Sequence, residues 1–239
     1  MLIEQLRHWI AGDIPRVQAV GEAIVAAHPR DLASVKLHQY FSFNRGDARS
    51  MLRIAQAALP ENADNPHIHG MLAFAYEQMH DLDTAEREAR HALKLKAKEP
   101  WAQHALAHVM LGTGRVAEGV EFLAEAQKTW VDLNSFMYTH NWWHKALFHI
   151  SQGDEQAVFE AYDQHVWGVE PDYSQDQVNA ISLLARMEVA GMDVGARWED
   201  VASHMKGRAR DTIQPFLTLQ YLYGLARAER AEADELMRA

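Results

Sequence analysis

Two pairs of histidines stand four residues apart, His104/His108 and His140/His144. On a helix, residues at this spacing stack on one face, so each pair offers two imidazoles to one point in space. Consecutive repeat units are expected to bring the two points near each other. Three or four imidazoles with a carboxylate, for which Glu77 is the candidate, suit a divalent ion such as Zn, Fe, Mn or Ni. An open coordination position would make such a site catalytic, with His104, His108, His140, His144 and Glu77 as the candidate catalytic residues. Neither pair is HExxH, because Ala105 and Asn141 follow the first histidines, so a zincin-type protease is excluded. The competing reading of the same imidazoles is a histidine-lined groove whose rings only pack and hydrogen-bond.

Other side chains gather around the pairs. Trp101, Phe74, Tyr76, Tyr138, Asn141 and Trp143 complete the candidate ligand groove, with Trp143 in an apolar wall, Asn141 as a polar contact, and Tyr76 and Tyr138 able to add hydrogen bonds or acid-base capacity. Trp130, Trp142, Trp143 and Phe148 suit packing between repeats more than ligand contact. His67 and His69 sit two apart, so their rings diverge on a helix. Lys94, Lys96 and Lys98 fall at a helix C-terminus, where cations complement the carbonyl dipole. The chain has no phosphate loop, no GxSxG and no cysteine nucleophile.

The elements that position these groups are helices. Proline and glycine are sparse, and Ala, Leu, Glu, Arg and Gln fill long segments with helical apolar periods. Turns recur at Gly12-Asp13, Gly46-Asp47, His80-Asp81, Gly114-Arg115 and Gly153-Asp154, spaced 34 to 39 residues apart. That is the period of tetratricopeptide repeats, whose two antiparallel helices are too small a unit to bury their own apolar face. The best copy runs from Pro66 to Ala97, with His69, Leu72, Ala73, Tyr76, Ala85 and Ala89 at the patterned positions. Ala73 and Ala85, and one period later Ala107 and Gly119, let two helices approach. After Gly153, Ala157 arrives one position early, which predicts a shortened loop.

The expected fold is therefore all-α: antiparallel helix pairs stacked into a curved α-solenoid forming a single domain over residues 1–239. TPR-like pairs cover about 1–168 and further helices 174–239. Leu2–Ala11 pairs with Pro15–Ala27, and Leu32–Phe43 with Ala48–Leu59. Later helices are predicted over Ser174–Ala190, Gly195–Met205 and Asp211–Arg227, with Glu229–Ala239 too polar and short to close a further unit. In each pair the first helix lines the concave face at about its second, fifth, ninth and twelfth positions. These are Trp101, His104, His108 and Leu111 counted from Pro100, and His67, Gly70, Phe74 and Glu77 counted from Pro66. His140 and His144 are expected to begin the first helix of the following unit.

The run from Trp101 to Met110, then Gly114-Arg115, Glu118-Gly119 and the run from His140 to His149, resembles the tetratricopeptide repeat protein 38 family. The pieces His28-Pro29-Arg30-Asp31, Ala161-Tyr162-Asp163 and Ala190 to Gly195 agree with it. The resemblance spans roughly Gly12 to Arg197 and implies a curved helical repeat array without a settled reaction. It departs where Met110, Leu111 and Gly112 stand in place of the acidic residue that often follows the second histidine in that family.

Composition bounds the partners. Lys+Arg 23 against Asp+Glu 33 gives a net charge of −10, with the charges dispersed, which argues against nucleic acid and anionic lipid. The absence of cysteine fits a cytoplasmic protein, and no segment has the length of a membrane span or the layout of a signal peptide. The sequence reads as a binding scaffold for a peptide, a protein partner or a small molecule. The alternatives are a metal-dependent or histidine-based enzyme acting on a small substrate in the same groove, and a structural subunit that self-associates through uncapped ends into a homo-oligomer.

Overall fold

The computed structural model describes residues 1–239. It contains α-helices and short helical turns, and no strand. In order the helices are α1 (Leu2–Ile10), α2 (Ile14–Ala27), α3 (Leu32–Asn44), α4 (Ala48–Ala58), α5 (Pro66–Gln78), α6 (Leu82–Leu95) and α7 (Pro100–Gly112). They continue with α8 (Val116–Ala126), α9 (Ser135–Gln152), α10 (Glu155–Ala161), α11 (Ser174–Val189), α12 (Arg197–Ser203), α13 (Pro215–Arg227) and α14 (Glu232–Arg238). No helix is long and apolar enough to cross a membrane. The chain divides into two compact units, Met1–Arg115 and Val116–Ala239.

Each turn between paired helices is built the same way. Gly12, Gly46, His80, Gly114 and Gly153 all take left-handed backbone, with φ between 62° and 73°. The residue after each donates its N–H back to a carbonyl five positions earlier, as in Asp47 to Ser42, Asp81 to Tyr76 and Asp154 to His149. Aspartates 13, 47, 81 and 154 then accept the N–H three residues on and start the second helix. Four residues past this position a side chain is driven into the core: Val17, Met51, Ala85 and Val158 are all buried to 1% exposure or less.

This register corrects two expectations. The Gly153 turn is not shortened, because its hydrogen bonds repeat those of the Gly46 turn. Val158 therefore occupies the inward position and Ala157 supplies the N–H to the Asp154 cap. Nor does His140 begin its helix. Asn134 caps α9 through Met137 N–H at 2.9 Å, so the helix starts at Ser135 and runs for 18 residues against 13 in α5 and α7.

In the first unit Val25, Val35, Ile54, Ala55, Ile68 and Leu72 form a core between α2, α3, α4 and α5. In the second, α9, α10, α11, α12 and α13 close around Ala146, Val158, Tyr162, Ile181, Leu184, Met187, Trp198 and Tyr221. The end of the chain also differs from expectation. Asp211–Gln214 is irregular and α13 starts at Pro215, where proline fits the first helical turn. The segment judged too polar to close a unit folds as α14 and places Leu236 in the core. Leu2, Ile3 and Ile10 on α1, and Phe216 and Leu219 on α13, remain exposed.

Two substitutions test this construction. His80 has a Cβ in a conformation that costs about 1–2 kcal/mol for an ordinary residue, so His80→Gly should raise unfolding free energy by about 1 kcal/mol in urea titration. A Cβ on Gly119 would lie 2.0 Å from the Phe148 ring, so Gly119→Ala should cost about 2 kcal/mol or more by the same measurement.

Candidate functional site

Three helices of the first unit, α3, α5 and α7, present a continuous cluster of rings. Phe43 of α3 packs on Phe74 of α5 with centroids 5.4 Å apart. Phe74 in turn meets Trp101, His104 and His108 of α7 at 6.2, 5.2 and 6.2 Å. His104 is buried and His108 half-buried. The second, fifth and ninth positions of α5 and α7 are His67, Gly70, Phe74, Trp101, His104 and His108, of which Phe74, Trp101, His104 and His108 meet in this cluster.

The imidazoles are wired in a definite order. Glu77, the twelfth residue of α5, accepts from His108 Nδ1 at 3.2 Å, and His108 Nε2 lies 3.1 Å from His104 Nε2. A carboxylate can only accept, so neutral His108 carries its proton on Nδ1 and takes the proton of His104 at Nε2. Burial raises the Glu77 carboxyl, but the hydrogen bond and charge of His108, helped by Gln78, bring it below the ordinary carboxylate range. Glu77 thus orients the histidine pair from behind.

A second carboxylate was missed by the sequence reading. Glu99 is 1% exposed and caps α7 through the N–H of Ala102, while its other oxygen lies 3.0 Å from His67 Nδ1. Gly70 makes room for it: a Cβ there would fall 2.7 Å from the Glu99 oxygen. Lys36 was missed too, although it is the fifth residue of α3 and so stands in register with Gly70 and His104. Its ammonium lies 3.2 Å from the centre of the Trp101 ring. Burial pushes it down to about 7, against the opposing charge of Glu99.

Other predicted groove residues turn elsewhere. Tyr76 faces α4, accepting from Gln56 at 3.1 Å. His69 is tied to Glu88 and to the Ala63 carbonyl, so it diverges from His67.

In the second unit, α9 divides its aromatic residues between two faces. Tyr138 and Trp142 meet the π-helical segment Tyr162–Val166, where the Tyr138 hydroxyl lies 2.6 Å from His165 Nδ1 and Trp142 stacks on His165 at 3.6 Å. His140 instead stacks between Phe136 and Trp143 and meets His144 at 4.8 Å. Its Nδ1–H donates to Asn179 of α11 at 3.0 Å, which assigns the lone pair to Nε2. Tyr138 therefore does not share a face with His140. Asn141 is buried, as is His144.

Behind His140 lies a polar network the sequence reading did not contain. Asn179 donates to the Thr139 hydroxyl at 2.9 Å, and Thr139 donates to Asp176 at 3.1 Å. Asp176 is fully buried, and burial pushes its carboxyl up to about 6 despite the Thr139 hydrogen bond.

No family model matches the chain. Among solved structures, it resembles a tetratricopeptide repeat protein from Parabacteroides merdae at 12% identity and a TM-score of 0.54, over 99% of this chain and 97% of that one. The fold is that of a tetratricopeptide-repeat protein. YrrB, a TPR protein with an unusual peptide-binding site, matches at 14% identity over 77% of this chain and 89% of its own, with a TM-score of 0.45.

The network predicts a pH effect. An aspartate whose folded pKa lies above its unfolded value of about 3.9 contributes stability below that value and loses it as pH rises through about 6. Asp176→Asn should remove this loss, leaving a protein more stable than wild type by about 3 kcal/mol at pH 7 and similar to it at pH 4. Urea unfolding at both pH values measures it.

Proposed function

We propose that the first unit is a binding scaffold and that its ring-lined face on α3, α5 and α7 holds a peptide, a protein partner or a small molecule. The observation that carries this reading is the continuity of Phe43, Phe74, Trp101, His104 and His108 across three successive first helices. Helices that only needed to pack could use small aliphatic residues there, as they do where Ala73, Ala85, Ala89 and Ala105 are fully buried. Aromatic rings and imidazoles give large contact area at low rotamer cost, together with polar edges that can select a ligand.

A second reading, a divalent ion held by the histidines, has its own support. Two nitrogens 3.1 Å apart match the span of two imidazoles sharing one ion at about 2.0–2.1 Å each. Glu77 behind His108 is the arrangement that fixes a ligating tautomer. In the second unit the Asn179 bond to His140 does the same for Nε2 of that ring. The ion would act as a Lewis acid on a small substrate.

We also infer kinship with the tetratricopeptide repeat protein 38 family. The ordered motifs between Gly12 and Arg197 support it. The absence of cysteine supports a reducing compartment such as the cytoplasm, and the exposed apolar residues of α1 support self-association.

The test is a random-peptide display selection on the full chain, followed by binding measurements with Phe74→Ala and His104→Ala. Selected peptides should lose about tenfold or more in affinity to each variant while circular dichroism is unchanged, since a central aromatic contact is worth over 1 kcal/mol. Peptides indifferent to both substitutions would remove the groove from the reading. Metal content of tag-free protein, stoichiometric in wild type and lost in His108→Ala, would favour the ion instead.

A further inference from the structure

The turn at Gly191 repeats the build of the others, with left-handed backbone at φ 88° and a bond from Met192 N–H back to the Met187 carbonyl at 2.9 Å. Five residues before the left-handed residue, α3, α5, α7 and α9 each bury an apolar side chain, Phe41, Ala75, Val109 and Phe148. In α11 that position is Arg186, and it is exposed. An arginine here adds nothing to a core, and its contacts point to a different use.

Arg186 is held in one orientation. Its guanidinium carbon lies 5.0 Å from the centre of the buried Trp143 ring. One terminal nitrogen, Nη1, donates to the Ser182 hydroxyl at 2.7 Å and to the Ser182 carbonyl at 2.9 Å. The other edge of the fork, Nε with Nη2, meets no acceptor. Elsewhere in the same unit this edge is filled by a carboxylate. Arg197 gives Nε and Nη2 to Asp163 at 2.8 and 2.6 Å, and Arg227 gives them to Glu188 at 3.1 and 2.5 Å. Glu188 is thus engaged elsewhere, although it stands two residues from Arg186. One helical turn on, on the same side of α11, Val189 is 89% exposed.

We propose that the Nε–Nη2 edge of Arg186 binds monocarboxylates with an apolar body, the carboxylate taking both N–H groups and the body lying on Val189. The site belongs to the second unit and is independent of the groove reading. Two parallel N–H groups in one plane match the two oxygens of a carboxylate, and such charge-assisted pairs are the stronger class of hydrogen bond. The stack on Trp143 and the two bonds to Ser182 fix the fork before a ligand arrives, so little rotamer freedom is lost on binding. Burial lowers the guanidinium pKa but leaves its charge intact at neutral pH, and no second charged group acts on it. A lone cation suits a singly charged acid better than a phosphate, which carries nearly two charges and calls for further donors.

The full chain, carrying isotope-labelled arginine, is titrated with phenylacetate and with phenylacetamide as the uncharged control, and the arginine Nε–H signals are followed by NMR. Arg186→Lys identifies the Arg186 signal by its loss and tests the fork, because lysine keeps the charge without the paired N–H groups. Phenylacetate should shift the Arg186 signal to saturation and bind about tenfold or more tightly than the amide. Arg186→Lys and Arg186→Gln should each weaken binding about tenfold by calorimetry, with circular dichroism unchanged. A peptide ending in Ala-Ala-Phe, with a free or an amidated C-terminus, separates the two sources of such a carboxylate. Binding of phenylacetate alone assigns the site to small acids, and binding that also needs the free peptide end extends it to chain termini. An Arg186 signal that moves with neither acid, an amide that binds as tightly as its acid, or full affinity in Arg186→Lys would overturn the proposal.

Discussion

The structure depends on one constraint: a pair of short helices cannot bury its own apolar face, so every pair must return its second helix at the angle that suits its neighbours. The turn that does this has a left-handed residue, a bond back across five positions and, where aspartate follows, an N-cap. The five turns therefore share one backbone path although their sequences differ, and His80 holds the left-handed place that glycine holds in the other four. Val17, Met51, Ala85 and Val158 can vary in size because the turn, rather than the side chain, sets where the inward position falls.

Within that frame, the ring cluster of the first unit is organised from beneath by Glu99. Its carboxylate starts α7, holds His67 and sets the charge felt by Lys36, and it fits only because residue 70 is glycine. Glu77 has the matching role for the histidine pair, fixing His108 so that its second nitrogen meets His104. The ring face and the polar layer below it are thus separate systems that meet at the imidazoles. The second unit repeats the principle with other residues, using Asn179, Thr139 and Asp176 to fix His140.

Much of the fold was legible in the sequence, because the turn signals Gly12, Gly46, His80, Gly114 and Gly153 recur at a nearly constant period and each was found at its left-handed position. The face of α5 and α7 was legible for the same reason. Carried one repeat earlier, the same count would have reached Lys36 and Phe43, the fifth and twelfth residues of α3. The errors fell where periodicity carries no information. Nothing in the count predicts that α9 begins five residues before His140, since its cap, Asn134, follows an irregular stretch. Tyr76 and Tyr138 were assigned for the hydrogen bonds they could add, whereas their places on the helix turn each toward a different neighbour. The Thr139–Asn179–Asp176 network joins residues about 40 positions apart and leaves no local trace.

The spacing between the left-handed turn residues is 34 residues up to Gly114 and 39 to Gly153, yet the hydrogen bonds of the turn do not change. Four of the five surplus residues lengthen α9 at its start, about 6 Å at about 1.5 Å per residue, and α9 has 18 residues against 13 in α5 and α7. Counted back from the left-handed residue of the turn, Thr139 stands where Pro66 and Pro100 begin the shorter helices, so the added stretch is Ser135 to Tyr138. A repeat of this kind can therefore grow along its helix axis without disturbing the register that packs it. Thr139, the residue that links the buried Asp176 to Asn179, stands where a standard repeat starts its helix, so the added turn sets inside a helix a polar contact that would otherwise lie at a helix start.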